Sequence, residues 1–233
     1  MAGNTHPTAA QSSNASANAW EAAYLRFESP EAEIRKFVGR LRRVGAERWR
    51  PDAHIVELFS GRGNGLRALE RLGFRNIEGM DLSPSLVNEY RGPARCHVGD
   101  CRALPFPDQI KDVAIVQGGL HHLLKLPDDL DRVLSEMRRV LRPSGLVVII
   151  EPWLTPFLRT VHKVCQNSLA RTCSNKLDAL ATMIEHERET YEQWLTQPEL
   201  ISRLARTYFD PQQESRSLGK WVFVGKPRES TRP

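Results

Sequence analysis

Apolar positions along the chain follow two rhythms. Short unbroken runs have the length and composition of strands buried on both faces: Ile55 to Phe59, Ile77 to Asp81, a stretch ending at Val98, Val113 to Val116, and Leu146 to Ile150. Between them apolar residues recur at helical spacing. Leu66, Leu69 and Leu72 follow the first run, and Leu130, Val133, Leu134, Met137, Val140 and Leu141 precede the fifth. Strands alternating with amphipathic helices predict an α/β fold built on a mainly parallel sheet. Upstream, Ser29-Pro30-Glu31 offers a capping hydroxyl and a first-turn proline. The helix it starts turns Ile34, Phe37, Val38 and Leu41 inward and Arg35, Lys36, Arg40, Arg42 and Arg43 outward. Gly73 is placed to end the helix after the first strand, Arg142-Pro143-Ser144-Gly145 reads as a turn, and Thr196-Gln-Pro-Glu199 reads as a capping-box helix start.

Composition narrows the class. A chain of 233 residues with 40% hydrophobic content suits one sizeable domain, expected over 19–233. Residues 1–18, rich in Ala, Ser, Asn, Thr and Gln, are expected to be disordered. No apolar run approaches the roughly 20 residues of a membrane helix, and the N-terminus lacks a signal-peptide pattern, so a cytoplasmic location is expected. Cys96, Cys101, Cys165 and Cys173 show no disulfide framework, and with His97, His121 and His122 they match no standard metal-ligand spacing; no metal is expected. The net charge of +5 permits a nucleic-acid acceptor. The positive residues are scattered, however, and a solvated basic helix face is the preferred reading.

The chemistry concentrates after the first strand. Gly61, Gly63 and Gly65 allow positive φ and close backbone approach to a ligand. Asp81 ends the second strand about where an acid can bind ribose hydroxyls. A nucleoside-containing cofactor follows. A dinucleotide site would require a third glycine where Leu66 stands, which puts NAD second.

Taken with Val98-Gly99-Asp100, Gln117-Gly-Gly-Leu120-His121-His122-Leu123 and Val140-Leu-Arg-Pro-Ser-Gly145, these segments resemble the class I S-adenosylmethionine-dependent methyltransferases, particularly the bacterial type 11 group. The resemblance covers roughly Ala53 to Pro152. It implies a Rossmann-like, doubly wound sheet, with Lys220-Trp-Val-Phe-Val-Gly225 as an antiparallel last strand. It implies that the glycine turn lies against the methionyl part of S-adenosylmethionine, that Asp81 binds the ribose, that Asp100 accepts from the adenine amino group, and that the Cys101 backbone reaches the ring. In the family's Asp-x-Gly-x-Gly-x-Gly motif this chain has Glu57 for the Asp and Phe59 for the first Gly. Glu57 keeps a negative charge for the methionyl ammonium. Having no phosphates, this cofactor needs acids and a helix N-terminus more than phosphate-gripping cations.

In an open α/β sheet the ligand lies past the carboxyl ends of the strands. Gln117, His121, His122, Glu151 and Trp153 are therefore the candidates there, with Gln117 assigned to the cofactor and His121 the leading candidate for a general base. A helical insertion at 154–208, between the fifth and sixth strands, is expected to cover an acceptor pocket, with Tyr191, Trp194, His162 and Glu185 as candidate contacts. The expected function is methyl transfer to a small-molecule acceptor. The alternatives are a non-catalytic methyltransferase-like binding subunit, an NAD-linked oxidoreductase, and an RNA or protein methyltransferase.

Overall fold

The computed structural model describes residues 20–229, so the tail expected at 1–18 lies outside the described residues. One sheet contains β1 (Ile55–Leu58), β2 (Ile77–Asp81), β3 (Arg95–Val98), β4 (Lys111–Gln117), β5 (Leu141–Pro152), β6 (Phe209–Ser217) and β7 (Lys220–Pro227). Their order is β3-β2-β1-β4-β5-β7-β6. The first five strands are parallel to their neighbours, β7 runs antiparallel to β5, and β6 closes a hairpin with β7. The chain moves from β1 outward to β3, then crosses back to β4. That reversal opens a crevice beyond the carboxyl ends of β1 and β4, where ligands of doubly wound sheets bind.

Helices cover both faces, as unbroken apolar strands require. On one side α2 (Pro30–Arg43) and α3 (Asn64–Arg71) set Ile34, Phe37, Leu41, Leu66 and Leu69 against Ile55, Ile115, Val148 and Val224. The helix at 20–27, here α1, precedes α2, whose Ser29 hydroxyl accepts from the Ala32 N–H at 3.3 Å. A cap of this kind is worth about 1 kcal/mol. Short α4 (Pro84–Val87) follows β2. On the other face α5 (Asp128–Val140) packs Leu130, Leu134 and Met137 against Val56, Val116 and Ile149. Five helices join β5 to β6 where the insertion is expected: α6 (Pro156–Cys165), α7 (Ser168–Cys173), α8 (Asn175–His186), α9 (Arg188–Thr196) and α10 (Pro198–Tyr208).

Three local expectations are corrected. Residues 142–145 do not form a turn between α5 and the fifth strand: β5 starts at Leu141 and carries them as an irregularity, with Lys111 paired to Leu141 and Val113 to Leu146. Thr196 caps nothing; its hydroxyl donates back to the Glu192 carbonyl at 2.9 Å within α9, and α10 begins after Gln197 without a side-chain cap. Leu72, expected in the core, is only half-buried at the end of α3.

Candidate functional site

Beyond the carboxyl ends of the strands lies a cavity of about 930 Å³. Its wall brings together Glu57 from β1, Gly61 from the following turn, Asp81 from β2, Asp100 and Cys101 after β3, Gln117 from β4 and His121. Gly63 is not on this wall. It caps the N-terminus of α3 at φ +80°, where a β-carbon would collide with the Tyr90 ring. Gly65 serves in another way than through φ: a β-carbon there would fall onto the Glu57 carboxylate.

The Asp81 carboxylate is fixed by backbone donors. Gly61, at φ +51°, donates to Oδ2 at 2.8 Å, and Ser83 donates to Oδ1 at 2.9 Å. Carboxylate oxygens held this way keep lone pairs for further donors. Asp100 is more heavily engaged. Arg102 grips it with Nε at 3.0 Å and Nη2 at 2.7 Å while reaching Asp129 with Nη1, and this guanidinium holds the Asp100 carboxyl below the usual carboxylate range. Cys101 is buried, which raises its thiol to about 12.

Glu57 is only 3% exposed, and burial raises its pKa to about 8. Gln117 Nε2 donates to Glu57 Oε1 at 3.2 Å. Glu57 Oε2, Gln117 Oε1 and Ser60 Oγ are buried at the wall without partners among the described residues. Buried polar atoms normally find hydrogen bonds. Gln117 Oε1 can only accept, Ser60 Oγ can accept, and Glu57 Oε2 accepts once its carboxyl ionises. Together they suit a cationic donor group such as an ammonium, which favours that ionised form.

The far side carries the imidazoles. Glu151 is fully buried, and its Oε1 accepts from the N–H groups of Gly119 and Leu120, both at 2.8 Å. Its Oε2 lies 2.8 Å from His121 Nδ1. A buried carboxylate there favours a proton on Nδ1, which leaves the lone pair on Nε2. His121 Nε2 stands 4.0 Å from Glu187, whose carboxyl burial raises to about 7, and His122 Nδ1 lies 3.4 Å from the same carboxylate. Desolvation, and secondarily the field of His121, push His122 well below the ordinary imidazole range. His121, His122 and Glu187 bring potential ligand atoms within 4.8 Å of one another, the one metal-like grouping among the described residues.

Of the other candidates, Tyr191 reaches the cavity, its ring 5.8 Å from that of His121. Trp194 is buried instead, donating to the Pro152 carbonyl at 2.9 Å. His162 lies beside Tyr191 at 3.2 Å, Glu185 pairs with Arg171 at the surface, and Trp153 packs on Trp221; none of them is on the wall. Glu187, Lys36, Arg40 and Lys220 line the cavity without having been expected there. For the α2 residues a signal exists: Glu33, Lys36, Phe37 and Arg40 form their own stripe at helical spacing. Glu187 and Lys220 carry no local signal, because only the fold returns them to β4 and β5.

Residues 56–149 match a family model described as a methyltransferase domain. The demethylmenaquinone methyltransferase of Streptomyces avermitilis is 36% identical over 114 residues, 46% of either chain. The ubiquinone/menaquinone biosynthesis C-methyltransferase of Paracoccus denitrificans is 26% identical over 153 residues, 61% of this chain and 58% of that one. The chain thus spans about half the length of the curated relatives it matches. Among solved structures, a Pyrococcus horikoshii OT3 protein superimposes with a TM-score of 0.64 at 20% identity, covering 88% of this chain and 98% of that one. A methyltransferase of calicheamicin biosynthesis, in its SAH-bound form, gives 0.54 at 18% identity over 84% of this chain and 54% of that one. At these identities the likeness is one of fold.

Proposed function

We propose that this chain, whose residues 56–149 match a methyltransferase-domain model, is a class I methyltransferase that transfers a methyl group from S-adenosylmethionine to a small-molecule acceptor. The observation that carries the reading is the set of unpartnered buried acceptors, Glu57 Oε2, Gln117 Oε1 and Ser60 Oγ, one strand away from a backbone-clamped Asp81. An ammonium at the first and ribose hydroxyls at the second satisfy both.

S-adenosylmethionine supplies an electrophilic methyl group and leaves as S-adenosylhomocysteine. Glu57 and Gln117 hold the ammonium, and Asp81 accepts from the ribose hydroxyls. Asp100 and Cys101 bound the adenine end, with Arg102 setting the Asp100 carboxylate in place. The remaining requirement is an aligned acceptor in a dry pocket. Where the attacking atom must first lose a proton, His121 Nε2 takes it, and Glu151 behind Nδ1 steadies the imidazolium that forms. The names of the first relatives favour a quinone-class ring as acceptor. For methylation at a ring carbon, His121 would instead take a hydroxyl proton of the reduced ring, which pushes electron density onto that carbon. The carbon's own proton leaves after the methyl group has been transferred.

Titration calorimetry with S-adenosylmethionine, with NAD as control, tests the reading. Micromolar binding of S-adenosylmethionine alone, roughly −8 kcal/mol, is expected. Asp81→Ala should weaken it by about 1–3 kcal/mol, the scale of lost hydrogen bonds to a charged group. His121→Ala should leave it nearly unchanged. Binding of NAD instead, or a folded Asp81→Ala variant with undiminished affinity, would overturn the assignment.

A further inference from the structure

Three cationic side chains line the cavity close enough for Arg40 and Lys36 to act on Lys220 through their charge. Lys36 and Arg40 project from one face of α2, a turn apart, and Lys220 opens β7 in register with Pro152 of β5. Lys36 pairs with Glu28. Arg40 lies over the Phe37 ring at 5.2 Å, and neither its guanidinium nor the Lys220 ammonium has a hydrogen-bond or ion-pair partner among the described residues. The other nearby acids are engaged elsewhere: Glu33 accepts from Asn64 Nδ2 at 2.8 Å and from the Tyr24 hydroxyl, and Glu151 accepts from the Gly119 and Leu120 N–H groups and lies against His121. Desolvation lowers Arg40, and it lowers Lys220 to about 8, with the positive Arg40 and Lys36 adding to the second shift. The acids Glu28, Glu33 and Glu151 offset part of this through their fields, but none touches Arg40 or Lys220. A desolvated cation without a direct partner is costly unless a ligand supplies one.

Sheet order says which ligand. Reading along the edge, Asp100 follows β3, Asp81 ends β2, Glu57 lies on β1, His121 follows β4, and Lys220 starts β7 beside β5. The cofactor residues run from β3 through β2 and β1 to Gln117 at the end of β4. The stretch from His121 to Lys220 is left for an acceptor, and Phe27, Leu180, Met183 and Ile184 give the cavity apolar walls. We infer that Arg40 and Lys220 bind an oxyanion, a carboxylate or an ionised phenol, carried on the apolar body of the acceptor. The inference rests on the methyltransferase reading and adds the charge of the substrate to it. Lys36, held by Glu28, contributes field more than contact. The competing source of an anion is the methionyl carboxylate of the cofactor, for which the N-terminus of α3 is an alternative positive site.

The test uses the full chain saturated with S-adenosylhomocysteine and a matched pair of probes, 2-naphthoate and its neutral amide 2-naphthamide. Binding of S-adenosylhomocysteine, measured first, judges the methyltransferase reading separately. The acid should then bind about tenfold or more tightly than the amide, the scale of a hydrogen bond to a charged group. Arg40→Met and Lys220→Met, which keep most of the apolar stem, should each reduce that preference while S-adenosylhomocysteine affinity holds, and Arg40→Lys should retain part of it. Equal binding of acid and amide by the unsubstituted protein would overturn the inference. So would methionine variants that lose S-adenosylhomocysteine and keep the acid preference, because the anion would then be the cofactor's own.

Discussion

Phe59 holds a backbone conformation that L-residues avoid, with φ at +54° at the position where the resembled motif has glycine. The left-handed region costs a residue with a β-carbon about 1–2 kcal/mol. Two things offset it here: the ring packs against the core, and Gly119 leaves room for it. A β-carbon at 119 would collide with Phe59 Cβ and Cγ, although Gly119 itself, at φ −125°, has a backbone any residue adopts. Gly119→Ala should therefore destabilise the protein by about 1–3 kcal/mol through overpacking alone. Phe59→Gly should suppress most of that loss, and denaturant midpoints of the two single variants and the double variant read the coupling directly. Additive effects would mean that Gly119 is required for some other reason. The departure at Phe59 is visible in the sequence. Its compensation is not, because the residue that makes room stands on a different strand end, and neither a motif nor a periodicity links the two.

Elements with a strong local signal were legible: the β1–α3–β2 unit and α5 match the apolar spacing that announces them, while β7 was legible through the family resemblance. β6 was not, since its sequence is polar and most of its residues are exposed on an edge where only hairpin pairing with β7 makes a strand. The insertion was legible as helical, but which of its residues face the cavity was not. Trp194 shows why. At the sequence level an aromatic residue in a lid suggests an acceptor contact, yet here its indole is 1% exposed and ties α9 to the end of β5 through the Pro152 carbonyl. That role predicts that Trp194→Ala costs about 3–5 kcal/mol in chemical denaturation, as for other buried aromatic truncations. Trp194→Phe should cost less, keeping most of the packing and losing the N–H. Because Asp81 and Glu57 lie on strands that α9 does not hold, the phenylalanine variant should retain S-adenosylmethionine affinity. A small loss for the alanine variant would show that α9 is held by its other contacts.

Across the whole molecule, Asp100, Asp81 and Glu57 follow one another along the sheet edge, after β3, at the end of β2 and on β1. The Glu57 carboxyl links folding, pH and ligand binding. Burial raises it from 4.5 to about 8, so between those values the folded protein keeps a proton that the unfolded chain gives up. Stability of the ligand-free protein from this group therefore falls as pH rises from about 4.5 to about 8 and changes little beyond either limit. A bound ammonium reverses the preference by favouring the ionised carboxylate. S-adenosylmethionine binding below pH 8 should then expel a proton from Glu57, and affinity should rise with pH toward that value. Glu187, raised to about 7, titrates in the same range, so the comparison must isolate one group. Calorimetry at pH 6.5 in buffers of different ionisation enthalpy does so: release should be larger by about one proton in the unsubstituted protein than in Glu57→Gln. The same substitution should flatten the pH dependence of the ligand-free melting temperature. If proton release were equal in the two proteins, Glu57 would already be ionised before the ligand arrives, and the unpartnered Oε2 would need another explanation.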